Sequence, residues 1–172
     1  MTTYSYRESA LGTLLLTSRE NKLTGLYFAG RAHAPAIGCD WMCRYDAELF
    51  VQTERQLDEY AAGKRLSFDL PLAWVGTLFQ QKVWQQIAHI PFGQTRSYSE
   101  LAARLGSAQA VRAVGAATGQ NPHSWIIPCH RIVGKNGELT GFAGGLARKR
   151  ALLDFESGRS PHLAWQPELL AA

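Results

Sequence analysis

An apolar run with three polar side chains at its centre constrains the fold of this chain more than any other stretch. The run extends from Trp125 to Val133, reads WIIPCHRIV, and places a thiol, an imidazole and a guanidinium side by side between isoleucines. A free cysteine is usually inert filling, but it is costly to bury two charge-capable neighbours beside it without a purpose. Because nearby cations and bases control the pKa of a thiol, we interpret Cys129 as a reactive group at the floor of a pocket.

The composition is that of an ordinary globular protein. The 172 residues are 46% hydrophobic and 19% charged, which suits one domain or two small ones with a real core. No apolar run approaches the length that spans a membrane, and residues 1–8 show no signal-peptide pattern. We therefore expect a cytoplasmic protein without a membrane partner. We also expect a monomer.

The cysteines predict neither a disulfide framework nor a metal site. Cys39, Cys43 and Cys129 are an odd number without framework spacing. Cys39 and Cys43, even together with the nearby His33, fall short of the usual four ligands of zinc. We expect no bound metal.

Positive charge is concentrated in the part of the chain that holds Cys129. The whole chain has a net charge of +4, but residues 76–157 carry nine Lys and Arg against four Asp and Glu, a net charge of +5. Residues 1–75 carry eight Lys and Arg against nine Asp and Glu, a net charge of −1. This asymmetry favours a polyanionic partner for the second part of the chain.

Residues 1–75 are predicted to form a small α/β domain that acts as a scaffold. Extended segments over 3–7, 12–18 and 23–29, the last two joined by a polar turn, suggest a hairpin before a loop over 30–45. Apolar residues at helical spacing predict a helix over 46–62 that ends at Gly63. A returning strand over 66–70 then leads to a linker at Pro71.

Residues 76–157 are predicted to form a mainly helical domain. Thr77 caps a helix that Pro91 stops, and a short helix after Ser97 is closed by Gly106. Ser107 then caps a third helix over 108–118, so that a helix, a tight glycine turn and a second helix give a helix-turn-helix.

A hairpin and a final helix complete this domain in the sequence-based prediction. Asn136-Gly137 lies between apolar runs and predicts a hairpin in the position of the wing of winged-helix folds. The last helix runs from about Leu146 to Phe155 with Arg148, Lys149 and Arg150 facing solvent. The tail, 158–172, is expected to be loosely held.

The helix over 108–118 consists almost entirely of small residues. It offers only Gln109 and Arg112 as long polar side chains, so it can press closely on DNA without reading base edges. The alternative is a close-packed core helix with Arg112 on its exposed face. Both interpretations remain open on this stretch alone.

A cysteine nucleophile needs a base within reach and a group that orients the base. His130 is adjacent, but neighbours on an extended strand point to opposite faces, so a bridging water is the plausible route. Glu156 either orients His130 or is a solvated helix end. Asn121, before Pro122, can lock the turn that leads to Cys129.

Six motifs in this order resemble the O6-alkylguanine-DNA alkyltransferases, also called methylated-DNA–protein-cysteine methyltransferases. The resemblance covers about half of the chain and ends at Glu156. Its motifs are Gly76-Thr77-Leu78-Phe79-Gln80, Ser97-Tyr98-Ser99-Glu100-Leu101-Ala102, Arg112-Ala113-Val114-Gly115, Asn121-Pro122, Pro128-Cys129-His130-Arg131 and Gly141-Phe142-Ala143-Gly144-Gly145-Leu146.

The resemblance implies direct DNA repair by a protein that is consumed. The alkyl group of O6-alkylguanine, or of O4-alkylthymine, would pass irreversibly to Cys129, in double-stranded DNA bound through the minor groove and without a cofactor. It also implies an RNase H-like fold for residues 1–75 before the winged helix-turn-helix domain. A base must be flipped out of the stack to be reached, which suits a thiol in a pocket.

The resemblance also implies roles for individual residues. His130 takes the thiol proton through a water, Glu156 orients His130, and Tyr98 crowds the phosphate of the target nucleotide and donates a proton to the departing guanine. Arg112 fills the space that the base leaves. The implied catalytic set is Cys129, His130, Glu156, Asn121 and Tyr98; the DNA-binding set is Arg112, Tyr98, Ala110, Ala113, Gly115 and Arg131; the substrate pocket is Trp125, Pro128, Ile132, Phe142 and Ala143.

Two positions depart from the family pattern. Phe142 stands where many members have Tyr, and Ala143 where some have Ser, so hydroxyl contacts to the lesion are lost. The alternative function is a winged-helix regulator with Cys129 as a redox sensor, which predicts sequence-specific DNA binding and reversible oxidation. The helix over 108–118 has few side chains that could read base edges, which favours repair over a sequence-specific regulator.

Overall fold

The first part of the chain forms a four-stranded sheet with one helix in the computed structural model, which describes residues 1–31 and 33–163. The sheet order is β3-β2-β1-β4, with β2 antiparallel to both β1 and β3, and β4 parallel to β1. In chain order these elements are β1 (Thr2–Arg7), β2 (Leu14–Arg19), β3 (Lys22–Phe28), β4 (Met42–Cys43) and α1 (Glu48–Ala61).

The hairpin predicted between β2 and β3 is confirmed, and its turn is tighter than expected. Arg19 pairs with Lys22, so only Glu20 and Asn21 remain in the loop. Both have positive φ, 52° and 55°. A two-residue loop with both residues in this region matches the right-handed twist of the flanking strands.

The second part of the chain is mainly helical, which confirms the predicted fold class. Thr77 and Ser97 both form capping boxes, with Gln80 and Glu100, and these fix where two of the helices begin. The elements are α2 (Leu78–Ala88), β5 (Arg96–Ser97), α3 (Tyr98–Arg104), a 3-10 turn (Ala108–Ala110), α4 (Val111–Gly119), a second 3-10 turn (Cys129–Arg131), β6 (Ile132–Val133) and α5 (Leu146–Glu156).

The predicted cap at Ser107 is wrong. Its side chain makes no capping hydrogen bond, and residues 108–110 form the 3-10 turn before α4 begins at Val111. Helix α4 packs against α2 and α3, and the indole Nε1 of Trp84 donates to the carbonyl of Ala117 over 2.7 Å.

The predicted strand over 66–70 is also wrong. The backbone of Asp69 is bonded to the side chain of Gln56 on α1, whose Nε2 donates to the Asp69 carbonyl over 2.7 Å and whose Oε1 accepts from its N–H over 2.8 Å. The chain meets the sheet three residues after Asp69, where Leu72 bridges to Leu23 of β3. An amide side chain therefore replaces the expected strand partner.

The hairpin that was predicted to form the wing is incomplete. The turn forms, because the N–H of Gly134 donates to the carbonyl of Glu138 over 2.8 Å. No strand follows it within the described residues, and β6 pairs in parallel with β5 instead. The second strand was therefore a wrong prediction within a correct fold class.

Helix α5 buries two of the three cations that were expected to face solvent. Arg148 and Lys149 are 6% and 0% exposed, whereas Arg150 is exposed as predicted. The guanidinium of Arg148 donates to the carbonyls of Leu11 and Gly144 over 2.7 and 2.9 Å, which explains its burial. The tail is not loose throughout either, since Leu163 is 5% exposed; residues 164–172 lie outside the described residues.

Two hydrophobic clusters form the interior. The first joins the sheet and α1 to Trp125, Leu152 and Phe155, and the second lies under α2, α3 and α4 and includes Cys129. Because the first cluster draws on both parts of the chain, the parts share a core. The boundary at residue 75 stays a prediction.

Candidate active site

Cys129 begins the second 3-10 turn and is buried. Its side chain belongs to the second cluster, and its Sγ accepts a hydrogen bond from Nδ2 of Asn121 over 3.2 Å. Burial raises the pKa of the Cys129 thiol, while the Asn121 bond and the charge of Lys149 act in the opposite direction. The resting group is a neutral thiol that needs a base to become a nucleophile.

Asn121 holds the segment that leads to the thiol. Besides the sulfur, its Nδ2 reaches the carbonyl of Ile127 over 2.9 Å, and its Oδ1 accepts from the N–H of His123 over 3.0 Å. The sequence predicted that this side chain would lock the turn, and these bonds confirm it. One amide therefore fixes the turn and touches the nucleophile.

The same segment is also bound to the edge of the N-terminal sheet. The N–H of Leu26 on β3 donates to the carbonyl of Pro122 over 2.8 Å, and the N–H of Ser124 donates back to Leu26 over 3.1 Å. Trp125 follows with φ of 73° and is 1% exposed in the first cluster, its ring 5.8 Å from that of Tyr60. Trp125 therefore anchors the turn in the first hydrophobic cluster. It was expected in the substrate pocket, but it does not line the cavity that contains Cys129.

His130 has the geometry of a general base. Its Nε2 lies 2.5 Å from Oε1 of Glu156, which assigns the proton to Nε2. The other nitrogen, Nδ1, is buried and has no hydrogen-bond partner among the described residues. Burial lowers the pKa of His130 more than Glu156 raises it, so the ring is neutral at neutral pH with a lone pair on Nδ1.

Glu156 is a buried carboxylate surrounded by donors. It accepts from His130, from the Tyr60 hydroxyl, from the N–H of Gly93 over 3.1 Å, and from Nε and Nη2 of Arg131 over 2.8 and 3.1 Å. Burial alone would raise the pKa of Glu156, but the hydrogen bonds from His130 and Arg131 and the positive charge of Arg131 lower it to about 2. Glu156 is therefore not a solvated helix end.

Arg131 does not occupy the DNA-binding position that the sequence suggested. It is 6% exposed, paired with Glu156, and its Nη1 donates to the carbonyl of Ile90 over 2.5 Å. A guanidinium with these partners cannot reach a phosphate without breaking a buried ion pair. Its role in this structure is to hold Glu156.

Cys129 lines a cavity of about 290 Å³ between the helix-turn-helix and the loop after β6. Phe142 and Ala143, two of the predicted pocket residues, lie in its wall. Pro128 and Ile132 do not, and the carbonyl of Ile132 accepts from Nζ of Lys149 over 2.5 Å. The lining residues are His33, Tyr98, Gly115, Thr118, Gly119, Cys129, Gly141, Phe142 and Ala143.

Tyr98 stands at the wall of this cavity as the first residue of α3. Its hydroxyl donates to the carbonyl of Thr140 over 3.3 Å, which links α3 to the loop that carries Phe142. Burial raises the pKa of Tyr98, so the phenol remains protonated and can donate. Gly115 on α4 lies beside its ring, where a Cβ would stand 3.9 Å from Cδ1.

Helix α4 presents small residues and one arginine to solvent. Arg112, Ala113 and Ala116 are exposed, whereas Val114 and Ala117 are buried against the neighbouring helices. Both interpretations of this helix therefore describe part of it, since one face is close-packed core and the other is a smooth exposed surface. Of the remaining predicted DNA contacts, Ala110 and Gly115 are half-buried.

Sequence reasoning missed three residues at or near the site. Lys149 was placed in solvent, His33 was considered only as a metal ligand, and Tyr60 was given no role beyond lying in the helix predicted over 46–62. Only His33 reaches the cavity itself. Within the described residues no group of three or more His, Cys, Asp or Glu is arranged to hold a metal, and no helix is long and apolar enough to cross a membrane.

Comparison with known proteins gives one consistent result. The family described as 6-O-methylguanine DNA methyltransferase matches twice, its ribonuclease-like domain at residues 2–74 and its DNA-binding domain at residues 78–158. The methylated-DNA–protein-cysteine methyltransferase of Mycobacterium tuberculosis H37Rv is 42% identical over 92% of this chain and 94% of its own length. The methylated-DNA–protein-cysteine methyltransferase of Methanosarcina barkeri is 44% identical over 89% of this chain and 96% of its own length.

The fold comparison agrees with the sequence comparison. A crystal structure of Mycobacterium tuberculosis OGT in complex with DNA superimposes with a TM-score of 0.84 at 42% identity, covering 92% of this chain and 95% of that one. A structure of O6-methylguanine methyltransferase from the same organism gives a TM-score of 0.81 at 41% identity.

Proposed function

Because the chain belongs to the 6-O-methylguanine DNA methyltransferase family, we propose that it repairs alkylated DNA by moving the alkyl group from guanine O6 to its own Cys129. The observation that carries the proposal is that Cys129 lines a cavity beside Tyr98 and α4 while a buried His130–Glu156 pair follows it in the chain. The substrate is double-stranded DNA that carries O6-alkylguanine, with O4-alkylthymine as a second lesion.

The proposed transfer begins with activation of the thiol. The proton of Cys129 passes through a water to Nδ1 of His130, which is buried and unpaired among the described residues. The imidazolium that forms is stabilised by Glu156, whose carboxylate stays ionised because its pKa is held at about 2. Asn121 donates to the sulfur and stabilises the thiolate.

The thiolate then attacks the alkyl carbon. A carbon–sulfur bond forms, the carbon–O6 bond breaks, and its electron pair leaves with guanine, which takes a proton from the hydroxyl of Tyr98. The proton on His130 returns to the phenolate through solvent. The product is a thioether, which has no route back to a thiol in this site, so each protein molecule reacts once.

DNA is proposed to bind on the face formed by α3 and α4. Over residues 111–120, the exposed side chains are alanines apart from Arg112 and Gln120. Because the alanines are small, the helix can enter the minor groove closely. Arg112 would occupy the space of the flipped base. Ala113, and with it the half-buried Ala110 and Gly115, would contact the DNA backbone.

The redox-sensor alternative is not favoured by the site. Sensor thiols are exposed and have a lowered pKa, whereas Cys129 is 3% exposed and burial raises its pKa. Location in the cytoplasm and function as a monomer stay predictions.

Mass spectrometry of the reacted protein tests the proposal. After incubation with a duplex that contains one O6-methylguanine, the peptide with Cys129 should gain one methyl group and the duplex should lose it. The Cys129→Ser variant should bind the same duplex and leave the methyl group in place. The proposal fails if the wild-type protein binds the lesion and its Cys129 peptide stays unmodified.

A further inference from the structure

We propose that Tyr60, on helix α1 of the N-terminal part, is a positioning residue for alkyl transfer, because its hydroxyl holds the carboxylate of Glu156 that orients His130. The inference rests on the proposed function and extends it to a part of the chain that was assigned only a scaffold role. Tyr60 touches neither the cavity nor Cys129, so it acts through Glu156.

The hydroxyl of Tyr60 bonds to the same carboxylate oxygen as the base. It donates to Oε1 of Glu156, the atom that lies 2.5 Å from Nε2 of His130 and 3.1 Å from Nη2 of Arg131. Tyr60 and Glu156 are separated by 96 residues in the chain, and both are buried. Three donors from two elements therefore fix the position of this one oxygen.

The ring of Tyr60 is fixed by aromatic neighbours on several sides. It stacks on Phe68 with a centroid separation of 5.3 Å and an interplanar angle of 17°. It meets Phe92, Trp125 and Phe155 at 5.6, 5.8 and 5.8 Å. Because four rings fix its orientation, the hydroxyl is already directed at Glu156 before DNA arrives, which is what a supporting residue must provide.

Tyr60 can only donate in this position. Burial and the charge of Glu156 both raise the pKa of its phenol far above the usual range, so it keeps its proton at every pH at which the protein works. A neutral donor on Oε1 stabilises the ionised carboxylate and reduces the charge that Oε1 offers to His130. The hydroxyl thus affects both the orientation and the basicity of His130.

The charged and titratable groups around this carboxylate come from three elements. His130 and Arg131 lie on the 3-10 turn, Tyr60 on α1, and Lys149, whose charge lowers the pKa of His130, on α5 with Glu156. Of these, only Tyr60 belongs to the N-terminal part. The N-terminal part therefore supplies one donor of the catalytic chain.

The Tyr60→Phe variant tests the inference because it removes the hydroxyl and keeps the ring. We expect the rate of methyl transfer from O6-methylguanine DNA at neutral pH to fall about tenfold, the loss associated with a hydrogen bond to a charged group. Without its donor, the pKa of Glu156 rises and His130 holds its proton more strongly. The acid limb of the pH–rate profile should therefore move to higher pH by about one unit.

The matched control is Tyr27→Phe. Tyr27 lies half-buried on β3 and is not one of the described donors to Glu156, so this variant should keep both the wild-type rate and the wild-type pH profile. Thermal unfolding of both variants shows that they are folded at the assay temperature. A role of Tyr60 in packing alone would lower stability without moving the pH profile.

A double variant separates action through Glu156 from any other effect. In the Glu156→Gln background, Tyr60→Phe should change the rate less than twofold, because the carboxylate through which it acts is gone. The rate of Cys129 alkylation by iodoacetamide, which needs no DNA, should show the same pattern. In the wild-type protein, the Tyr60 hydroxyl proton should give a slowly exchanging resonance in proton NMR, a readout that requires no variant to fold.

The outcomes are distinguishable from failure of the proposed function. If the wild-type protein transfers no methyl group, the proposed function fails whatever the variants do. If the wild-type protein is active and Tyr60→Phe matches it in rate and pH profile, or if Tyr60→Phe slows the Glu156→Gln protein by the full tenfold, Tyr60 is not a positioning residue.

Discussion

Cys129 is kept as a neutral thiol by the side chains that surround it. Burial raises its pKa, and the groups that oppose this, Asn121 and Lys149, do not reverse it. A protonated thiol reacts poorly with oxidants and with stray electrophiles, because the thiolate is the reactive form. In the proposed reaction, a base must therefore remove the proton of Cys129 before the sulfur can attack the alkyl group.

Lys149 is a buried ammonium that joins three backbone segments at the site. Its Nζ donates to the carbonyls of Ile132, Thr140 and Gly141 over 2.5, 2.7 and 3.3 Å. Burial lowers its pKa to about 8, which still leaves it charged at neutral pH. The ammonium thus connects the loop that carries Phe142 to β6.

Replacing Lys149 by Met should destabilise the protein. The change leaves the buried carbonyls without their donor, and we expect the free energy of unfolding to fall by about 1–3 kcal/mol, measured by urea denaturation. Arg150→Met, the exposed neighbour on α5, is the control and should stay within about 0.5 kcal/mol of wild type. Equal effects of the two substitutions would contradict a special role for Lys149.

Sequence reasoning identified the candidate site residues more readily than the side chains that hold them in place. Cys129, His130 and Asn121 were found because polar groups in an apolar run need an explanation. Arg131 and Lys149 were misplaced because charged side chains are usually exposed, and their burial depends on a carboxylate and on carbonyls from distant segments. Such partners are brought together only by the fold.

At the scale of elements, α4 combines a packed face with a smooth one. Val114 and Ala117 bind it to the second cluster, and the exposed Ala113 and Ala116 leave the backbone accessible. Arg112 projects from this surface as its long cationic side chain. A helix of this kind is suited to a groove that it enters closely, and it has little with which to read a sequence.

A carboxylate on the smooth face of α4 should weaken DNA binding. The Ala113→Asp variant places a negative charge against the phosphates, and we expect the Kd for a duplex to rise about tenfold or more at low salt, measured by fluorescence anisotropy. The reaction of the same variant with free O6-methylguanine base should be unchanged. Ala88→Asp, an exposed alanine on α2, serves as the control; a similar loss there would place the DNA elsewhere.

The sequence predicted helices better than extended segments. Helical periodicity and capping residues located α1, α2 and α3 because these signals are local. The segment 66–70 alternates as a strand does, but Gln56 took the bonds that a neighbouring strand would have made. The prediction of a second strand after β6 was wrong for a similar reason, because β6 pairs with β5 and not with the segment after the turn.

On the scale of the whole molecule, Glu156 is one of the points at which the two parts of the chain meet. Its carboxylate accepts from α1, from the residue after Phe92, and from the 3-10 turn that holds His130. The first hydrophobic cluster surrounds this point and includes side chains from both parts. The same buried carboxylate therefore joins the two parts of the chain and bonds to the base of the proposed reaction.

Acid should destabilise the protein through Glu156. Its pKa is lowered from 4.5 to about 2 in the folded state, so its contribution is fully present above pH 4.5 and is lost as pH falls towards 2. The linked free energy is on the order of 3 kcal/mol. Urea denaturation from pH 6 to 2 should show a smaller decline for Glu156→Gln than for wild type; parallel declines would mean that Glu156 is not the group responsible.

The outer edge of β3 has a consequence for how this protein can evolve. Residues 71–73 and 122–124 both pair with that edge, one as the chain leaves the sheet and the other just before the thiol. A chimaera that joins the first half of one relative to the second half of another would need matching partners at this edge. Recombination at the junction between the halves is therefore constrained, and the two halves are expected to be inherited together.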